Sequence, residues 1–253
     1  MKGYITAGQQ YKTELEIPCF QVDANKRLKV AAFMDLAQEM AYLAAEAMGF
    51  GYSSLSTLGR AWVLSRMHIR FDRLPFWGDT VDLRTWHKGA CGPFYLRDFS
   101  LDSPEGESLV RATSSWVVLD TASRHMVRGD EVMKMVPEDT VCPLHGIEEP
   151  APKVAFPRGA EVTEAGLLRI KYSDVDLLGH TNNVCYVLHA LDCLDPSVLL
   201  EARLSDLFVT YNHETRLGQE LQLQLCRDGN DIYVQGLSEG APAFCLKVVL
   251  KNA

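Results

Sequence analysis

Val30-Ala-Ala-Phe-Met-Asp-Leu-Ala-Gln-Glu-Met-Ala-Tyr-Leu-Ala-Ala-Glu-Ala-Met48 carries apolar residues at Val30, Phe33, Met34, Ala37, Met40, Ala41, Ala44, Ala45 and Met48. Steps of three and four turn one face of an α-helix apolar. Gly49 follows as a usual C-terminal stop. The face is built from Ala and Met, so the helix can lie close against something flat, such as a sheet. Strand signals surround it. Tyr11 to Ile17 alternates polar and apolar residues. Trp62 to Phe71, Thr80 to Trp86, Phe94 to Leu101 and Leu109 to Leu119 read as strands. They are bounded by the turns Leu74-Pro-Phe-Trp-Gly78, Gly89-Ala-Cys-Gly-Pro93 and Ser103-Pro-Glu-Gly106. One long helix with antiparallel strands after it makes a complete unit.

The second half repeats the pattern. Leu167 to Tyr172 reads as a strand, and Asn182 to Leu194 as a helix ending before Pro196. Leu204 to Tyr211, Leu221 to Cys226, Ile232 to Leu237 and Phe244 to Leu250 follow as strands, with a hairpin turn at Asp228-Gly-Asn-Asp231. Residues repeat as well: Leu64-Ser65 matches Leu204-Ser205, Phe71 matches Tyr211, Gly78 matches Gly218 and Leu83 matches Leu223, each pair 140 positions apart. Such matches at one offset favour duplication of a helix-plus-sheet unit. The expected fold class is α+β, a continuous antiparallel sheet wrapped around two long helices, because pairing the units buries edge strands. Between the halves, Pro137, Pro143, Pro150, Pro152 and Pro157 mark a linker across the surface. The expected division is residues 1–135, a linker at 136–160, and residues 161–253.

Composition narrows the function classes. Hydrophobic residues make up 47% and charged residues 23% of the 253, ordinary for a globular chain. No apolar run approaches the roughly 18 residues needed to span a bilayer. Met1 to Gln10 lacks the apolar core of a secretory signal, so a cytoplasmic protein without a membrane partner is expected. The net charge of −8 argues against nucleic acid as a partner. Cys19, Cys91, Cys142, Cys185, Cys193, Cys226 and Cys245 are widely spaced, with no Cys-x-x-Cys pair. Neither a disulfide framework nor a zinc site is supported, and no metal or other cofactor is expected.

The two halves differ where their helices begin. Asp23-Ala-Asn-Lys-Arg-Leu28 precedes the first and has no His. Ser173-Asp-Val-Asp176-Leu-Leu-Gly179-His180-Thr-Asn182-Asn183-Val-Cys-Tyr186 leads into the second and is the densest polar cluster in the chain. A helix N-terminus offers unpaired N–H groups and a positive dipole end, suited to a developing oxyanion. A carboxylate there can activate water, and an imidazole moves protons near neutral pH. The same residues also suit plain capping and loop formation.

The cluster resembles the helix-start motif of hot-dog thioesterases, D-x-x-G-H-x-N-N-x-x-Y. Trp62-Val-Leu-Ser-Arg-Met-His68-Ile, Pro75-Phe-Trp-Gly-Asp79, Leu83-Arg-Thr-Trp86 and Arg111-Ala-Thr-Ser-Ser-Trp116-Val-Val resemble the first half of acyl-[acyl carrier protein] thioesterases. The resemblance runs from about Tyr11 to the C-terminus and implies a tandem hot-dog chain that releases free fatty acid from acyl carrier protein. It gives Asp176 the catalytic aspartate position, His180 the catalytic histidine position, and Glu214, on the strand after the helix, the position of an acidic residue that orients or activates water. Two positions depart from the family: Leu178 stands where Asn is usual, and Thr215 where Cys is common.

The expected reaction is metal-free hydrolysis, with helix N-terminal amides near Thr181, Asn182 and Asn183 polarising the thioester carbonyl and Asp176, ordered by His180 and Glu214, activating water or attacking the thioester directly. The first half, without an equivalent of Asp176 to His180, is expected to shape the acyl pocket and dock the carrier. Arg60, Arg66, Arg70, Arg73, Arg84, Lys88 and Arg97 crowd into it; they read first as solvated strand faces, and could also meet an acidic carrier or the phosphates of CoA. His87, His125, His145, His189 and His213 read as structural or solvent-facing. Two other functions fit the same residues: an acyl-CoA thioesterase, and a non-catalytic binder of acyl thioesters that lost activity with the Asn at position 178. A homodimer is compatible with the duplicated unit.

Overall fold

The structure, a computed structural model, describes residues 1–201 and 204–251. Ala202, Arg203, Asn252 and Ala253 of the expected second half lie outside the described residues. The chain forms two compact units, Met1–Ala151 and Pro152–Ala253.

The first unit runs β1 (Tyr4–Ile5), β2 (Tyr11–Glu16), α1 (Val30–Ala47), α2 (Tyr52–Thr57), β3 (Arg60–Phe71), β4 (Thr80–Cys91), β5 (Phe94–Asp102), β6 (Ser108–Asp120) and α3 (Gly129–Met133). Its sheet is antiparallel, in the order β1-β2-β4-β5-β6-β3. Cross-strand register aligns Leu83, Leu101, Val110 and Phe71 in one row and Phe99, Ala112 and Ile69 in another. All seven are buried, as are Phe33, Met40 and Ala44 of α1. Periodic burial of this kind is what places an 18-residue helix on a sheet. The turn expected at Gly89 to Pro93 is shorter: β4 continues to Cys91, with Gly89 in a register shift at φ +105. Glycine reaches that backbone freely, so the ladder bulges there rather than ending.

The proline-rich stretch is anchored over its first part. Trp86 Nε1 donates to the Leu144 carbonyl at 2.8 Å, and Gly146 N–H to Asp98 Oδ2 at 2.7 Å. The Lys88 ammonium donates to the Ile147 carbonyl at 2.5 Å. Cys142, Ile147 and Ala151 are buried.

The second unit runs β7 (Thr163–Arg169), α4 (Asn183–Leu191), α5 (Pro196–Leu200), β8 (Leu204–Tyr211), β9 (Glu220–Asp228), β10 (Asp231–Ser238) and β11 (Ala241–Leu250). Its antiparallel sheet has the order β8-β11-β10-β9-β7. Two expectations shift. The second helix is short, nine residues against 18 for α1, because Asp195 caps a new turn of helix that starts at Pro196. The first strand lies earlier than expected, at Thr163–Arg169, because Ile170 turns out of the ladder.

That turn is where the duplication shows most clearly. Ile170 N–H donates to the Gln219 carbonyl and Gly218 N–H to the Ile170 carbonyl, both at 2.9 Å. In the first unit, Ile17 N–H donates to the Asp79 carbonyl and Gly78 N–H to the Ile17 carbonyl, again both at 2.9 Å. Gly78 and Gly218 have φ of +84 and +86. Among the described residues, no helix is long and apolar enough to cross a membrane.

Candidate active site

The loop before α4 is a tight turn closed by one carboxylate. Asp176 N–H donates to the His180 carbonyl at 2.9 Å, and Gly179 N–H to the Asp176 carbonyl at 3.0 Å. Asp176 Oδ1 accepts the N–H groups of Leu178 at 2.9 Å and His180 at 3.3 Å. Asp favours such local side-chain bonds. Asp176 Oδ2 takes no protein hydrogen bond among the described residues.

His180 is turned by this loop toward Glu214, and its Nε2 lies 3.0 Å from Glu214 Oε1. A carboxylate oxygen accepts, so Nε2 carries the proton and Nδ1 of a neutral ring is the basic nitrogen. Glu214 is not on a strand: β8 ends at Tyr211, and Glu214 sits on the loop beyond it. Loops carry such groups because their side chains escape the alternation of a sheet. Arg216 Nη2 stands 3.4 Å from the same oxygen of Glu214.

The second carboxylate of the cluster goes elsewhere. Asp174 Oδ1 pairs with His189 Nε2 at 3.0 Å, while its Oδ2 accepts the Lys171 N–H at 2.7 Å. Of the three residues expected to polarise a carbonyl, two have committed N–H groups. Thr181 N–H donates to the Thr215 carbonyl and Asn182 N–H to the Asp174 carbonyl, both at 2.8 Å. Asn182 is the N-cap of α4, its Oδ1 accepting the Val184 N–H. Only the Asn183 N–H of the three lacks a protein partner among the described residues.

Sequence reasoning passed over the hydroxyls behind this loop. Thr181, Tyr186 and Thr215 are all buried, and Thr215 Oγ1 lies 2.8 Å from both the Thr181 and the Tyr186 hydroxyl oxygens. Tyr186 closes the helix-start motif, and that was its signal. Burial pushes its phenol above the usual tyrosine range, keeping it protonated. Among the described residues, no group of three His, Cys, Asp or Glu could hold a metal ion.

The first half does have a counterpart of the Asp176 loop, contrary to expectation. Asp23 N–H donates to the Arg27 carbonyl at 2.8 Å, and Lys26 N–H to the Asp23 carbonyl at 2.9 Å. Asp23 Oδ1 accepts the N–H groups of Asn25 at 2.8 Å and Arg27 at 2.9 Å. Arg27 thus stands where the second half has His180, and it pairs with Asp23 Oδ2 at 3.1 Å. The basic residues of that half are not one open patch. Lys88 is buried against Asp98, and Arg97 is 6% exposed with its pKa lowered to about 10 by burial. Arg84 pairs with Asp82 and Asp102, and Arg60 with Glu131.

The acyl-ACP thioesterase N-terminal domain family matches residues 8–136, and the C-terminal domain family residues 159–239. Oleoyl-acyl carrier protein thioesterase 1 of Arabidopsis thaliana is 27% identical over 82% of this chain and 61% of its own. Dodecanoyl-[acyl-carrier-protein] hydrolase of Cinnamomum camphora is 28% identical over 85% of this chain and 59% of its own. The chain therefore spans about three fifths of the length of these curated relatives. Among solved structures, an acyl-ACP thioesterase from Bacteroides thetaiotaomicron superposes with a TM-score of 0.79 at 25% identity, covering 96% of this chain and 98% of that one. The 12:0-ACP thioesterase from Umbellularia californica gives 0.86 at 21% identity over 98% and 99%. The fold is the α+β double hot-dog that the motif implied. Both family domains match, in order, over most of its length, so the chain belongs to the acyl-ACP thioesterase family.

Proposed function

We propose that the chain hydrolyses fatty acyl-[acyl carrier protein] thioesters to free fatty acid, at the start of α4. The observation that carries this reading is the 3.0 Å pairing of His180 with Glu214 beside Asp176, at one helix start and not at the other. Glu214 holds the ring with its proton on Nε2. His180 Nδ1 takes a proton from water, and the hydroxide oxygen attacks the thioester carbonyl. Asp176 Oδ2, without a protein donor among the described residues, holds that water. The Asn183 N–H, at the positive end of α4, receives the developing oxyanion. Collapse breaks the C–S bond, and the proton on His180 passes to the carrier's sulfur. Acid and thiol leave, and no cofactor enters the balance. The first unit, whose helix start carries Arg27 in place of His180, serves to shape the acyl pocket and to receive the carrier. Free thiols throughout the described residues suit a reducing, cytoplasmic setting.

The test is a parallel assay of purified protein on acyl-carrier and acyl-CoA thioesters of matched chain length. Faster release from the carrier supports the proposal. Preference for CoA would make the chain an acyl-CoA thioesterase. No turnover of either substrate, with acyl thioester still bound, would make it a binding protein.

A further inference from the structure

Thr181, Tyr186 and Thr215 each have one hydroxyl proton to give, and that count sets the direction of their bonds. Thr181 Oγ1 donates to the Thr215 carbonyl at 3.1 Å. At its 2.8 Å contact with Thr215 Oγ1 it therefore accepts, and Thr215 donates. Thr215 has then spent its proton, so the Tyr186 hydroxyl donates to Thr215 Oγ1 at 2.8 Å. The Tyr186 oxygen in turn accepts the Thr215 N–H at 2.8 Å. The circuit leaves the N–H of Thr215 and returns to its carbonyl.

The N–H that Tyr186 holds belongs to the peptide joining Glu214 to Thr215, so the clamp acts directly on the Glu214 backbone. No hydroxyl proton remains for a substrate. The first unit builds the same turn without the circuit: Leu28 N–H donates to the Pro75 carbonyl at 2.8 Å, as Thr181 N–H does to Thr215. Leu28, Phe33 and Pro75 hold the positions of Thr181, Tyr186 and Thr215, and Leu74 that of Glu214. The backbone turn therefore needs no hydroxyls.

We propose that Thr181, Tyr186 and Thr215 are positioning residues whose closed hydrogen-bond circuit holds the Glu214 carboxylate at His180 Nε2. The inference rests on the hydrolytic reading of this site. It also accounts for threonine at position 215, because a thiol is a weak donor and would open the circuit.

Thr215→Val, Thr215→Ser and Tyr186→Phe test it, alone and in a Glu214→Gln background. In the otherwise native protein, Thr215→Val and Tyr186→Phe should lower kcat by about tenfold to a hundredfold, with KM within about twofold. Thr215→Ser should restore most of the rate. In the Glu214→Gln background, the same changes should cost nothing further. Equal losses in both backgrounds, or a native rate in Thr215→Val, would overturn the proposal. A crystal structure of Thr215→Val gives a readout independent of turnover: the separation of His180 Nε2 and Glu214 Oε1 should lengthen beyond hydrogen-bond range, about 3.5 Å. An unchanged separation would also overturn it, whether or not the protein hydrolyses acyl thioesters.

Discussion

At the start of α1, Asp23 Oδ1 accepts the N–H groups of Asn25 and Arg27; at the start of α4, Asp176 Oδ1 accepts those of Leu178 and His180. Asp23 turns its other oxygen to Arg27, a salt bridge inside the loop, whereas Asp176 leaves its other oxygen without a protein donor among the described residues. The imidazole of His180 points out of its loop to a carboxylate on another segment. A carboxylate at this place therefore has a structural duty before it has a chemical one. In the proposed mechanism Asp176 acts only through the oxygen that the loop does not use.

Breaking His180 separates the loops most. His180→Gln should lower kcat by about 10² to 10⁴-fold, while Arg27→Gln should leave it within about twofold. Similar losses from both changes in a steady-state assay would end the distinction.

The first unit buries a histidine of its own. His87 is 5% exposed, and burial, with the Arg97 guanidinium adding to it, lowers its pKa to about 4. Its Nδ1 donates to the Leu96 carbonyl at 3.1 Å, the carbonyl being only an acceptor. As pH drops from 6.5 to about 4, the unfolded chain takes up a proton that the folded chain refuses. Stability contributed by the neutral ring is thus complete above pH 6.5 and declines through that window, by roughly 3 kcal/mol at most. Chemical denaturation at pH 5 and pH 7.5 should show a smaller difference for His87→Gln than for the native protein.

The aspartates themselves give the smallest effect. Asp23→Ala and Asp176→Ala should each cost about 1 kcal/mol, the worth of a capping side chain. Asp176→Asn keeps an acceptor oxygen for both N–H groups, so its thermal midpoint should stay near native while turnover falls. A large loss of stability in Asp176→Asn would mean that the charge, and not the acceptor, holds the loop.

Much of the fold was legible. Val30 begins α1 as the periodicity predicts, and Leu204 to Tyr211 is β8 as read. Gly78 and Gly218, matched at an offset of 140, sit in the same turn with the same sign of φ. The loop before the helices escaped that comparison because the offset there is 153: Ile17, Val22 and Asp23 align with Ile170, Val175 and Asp176. The second half has a shorter helical passage before β8, so the offset of 140 aligns the two halves only from β3 and β8 onward. His180 and Glu214 were legible as candidates through the family resemblance, but their contact was not, because it depends on where the loop after β8 carries Glu214. The hydroxyl circuit was hidden for a related reason. Threonine and tyrosine fit a buried core or a polar cluster equally well by pattern, and only bond geometry decides between them.

Lys26 and Gly179 occupy the same place in the two loops, with φ of +63 and +79. A side chain bearing Cβ is disfavoured in that left-handed region by about 1–2 kcal/mol, and glycine is not. The loop that carries His180 is thus conformationally relaxed, and the loop that carries Arg27 holds the strain. Lys26→Gly should release about 1 kcal/mol of it, raising the melting temperature from a position outside the proposed catalytic machinery. Thermostability and turnover would then be adjustable from opposite halves of one duplicated design.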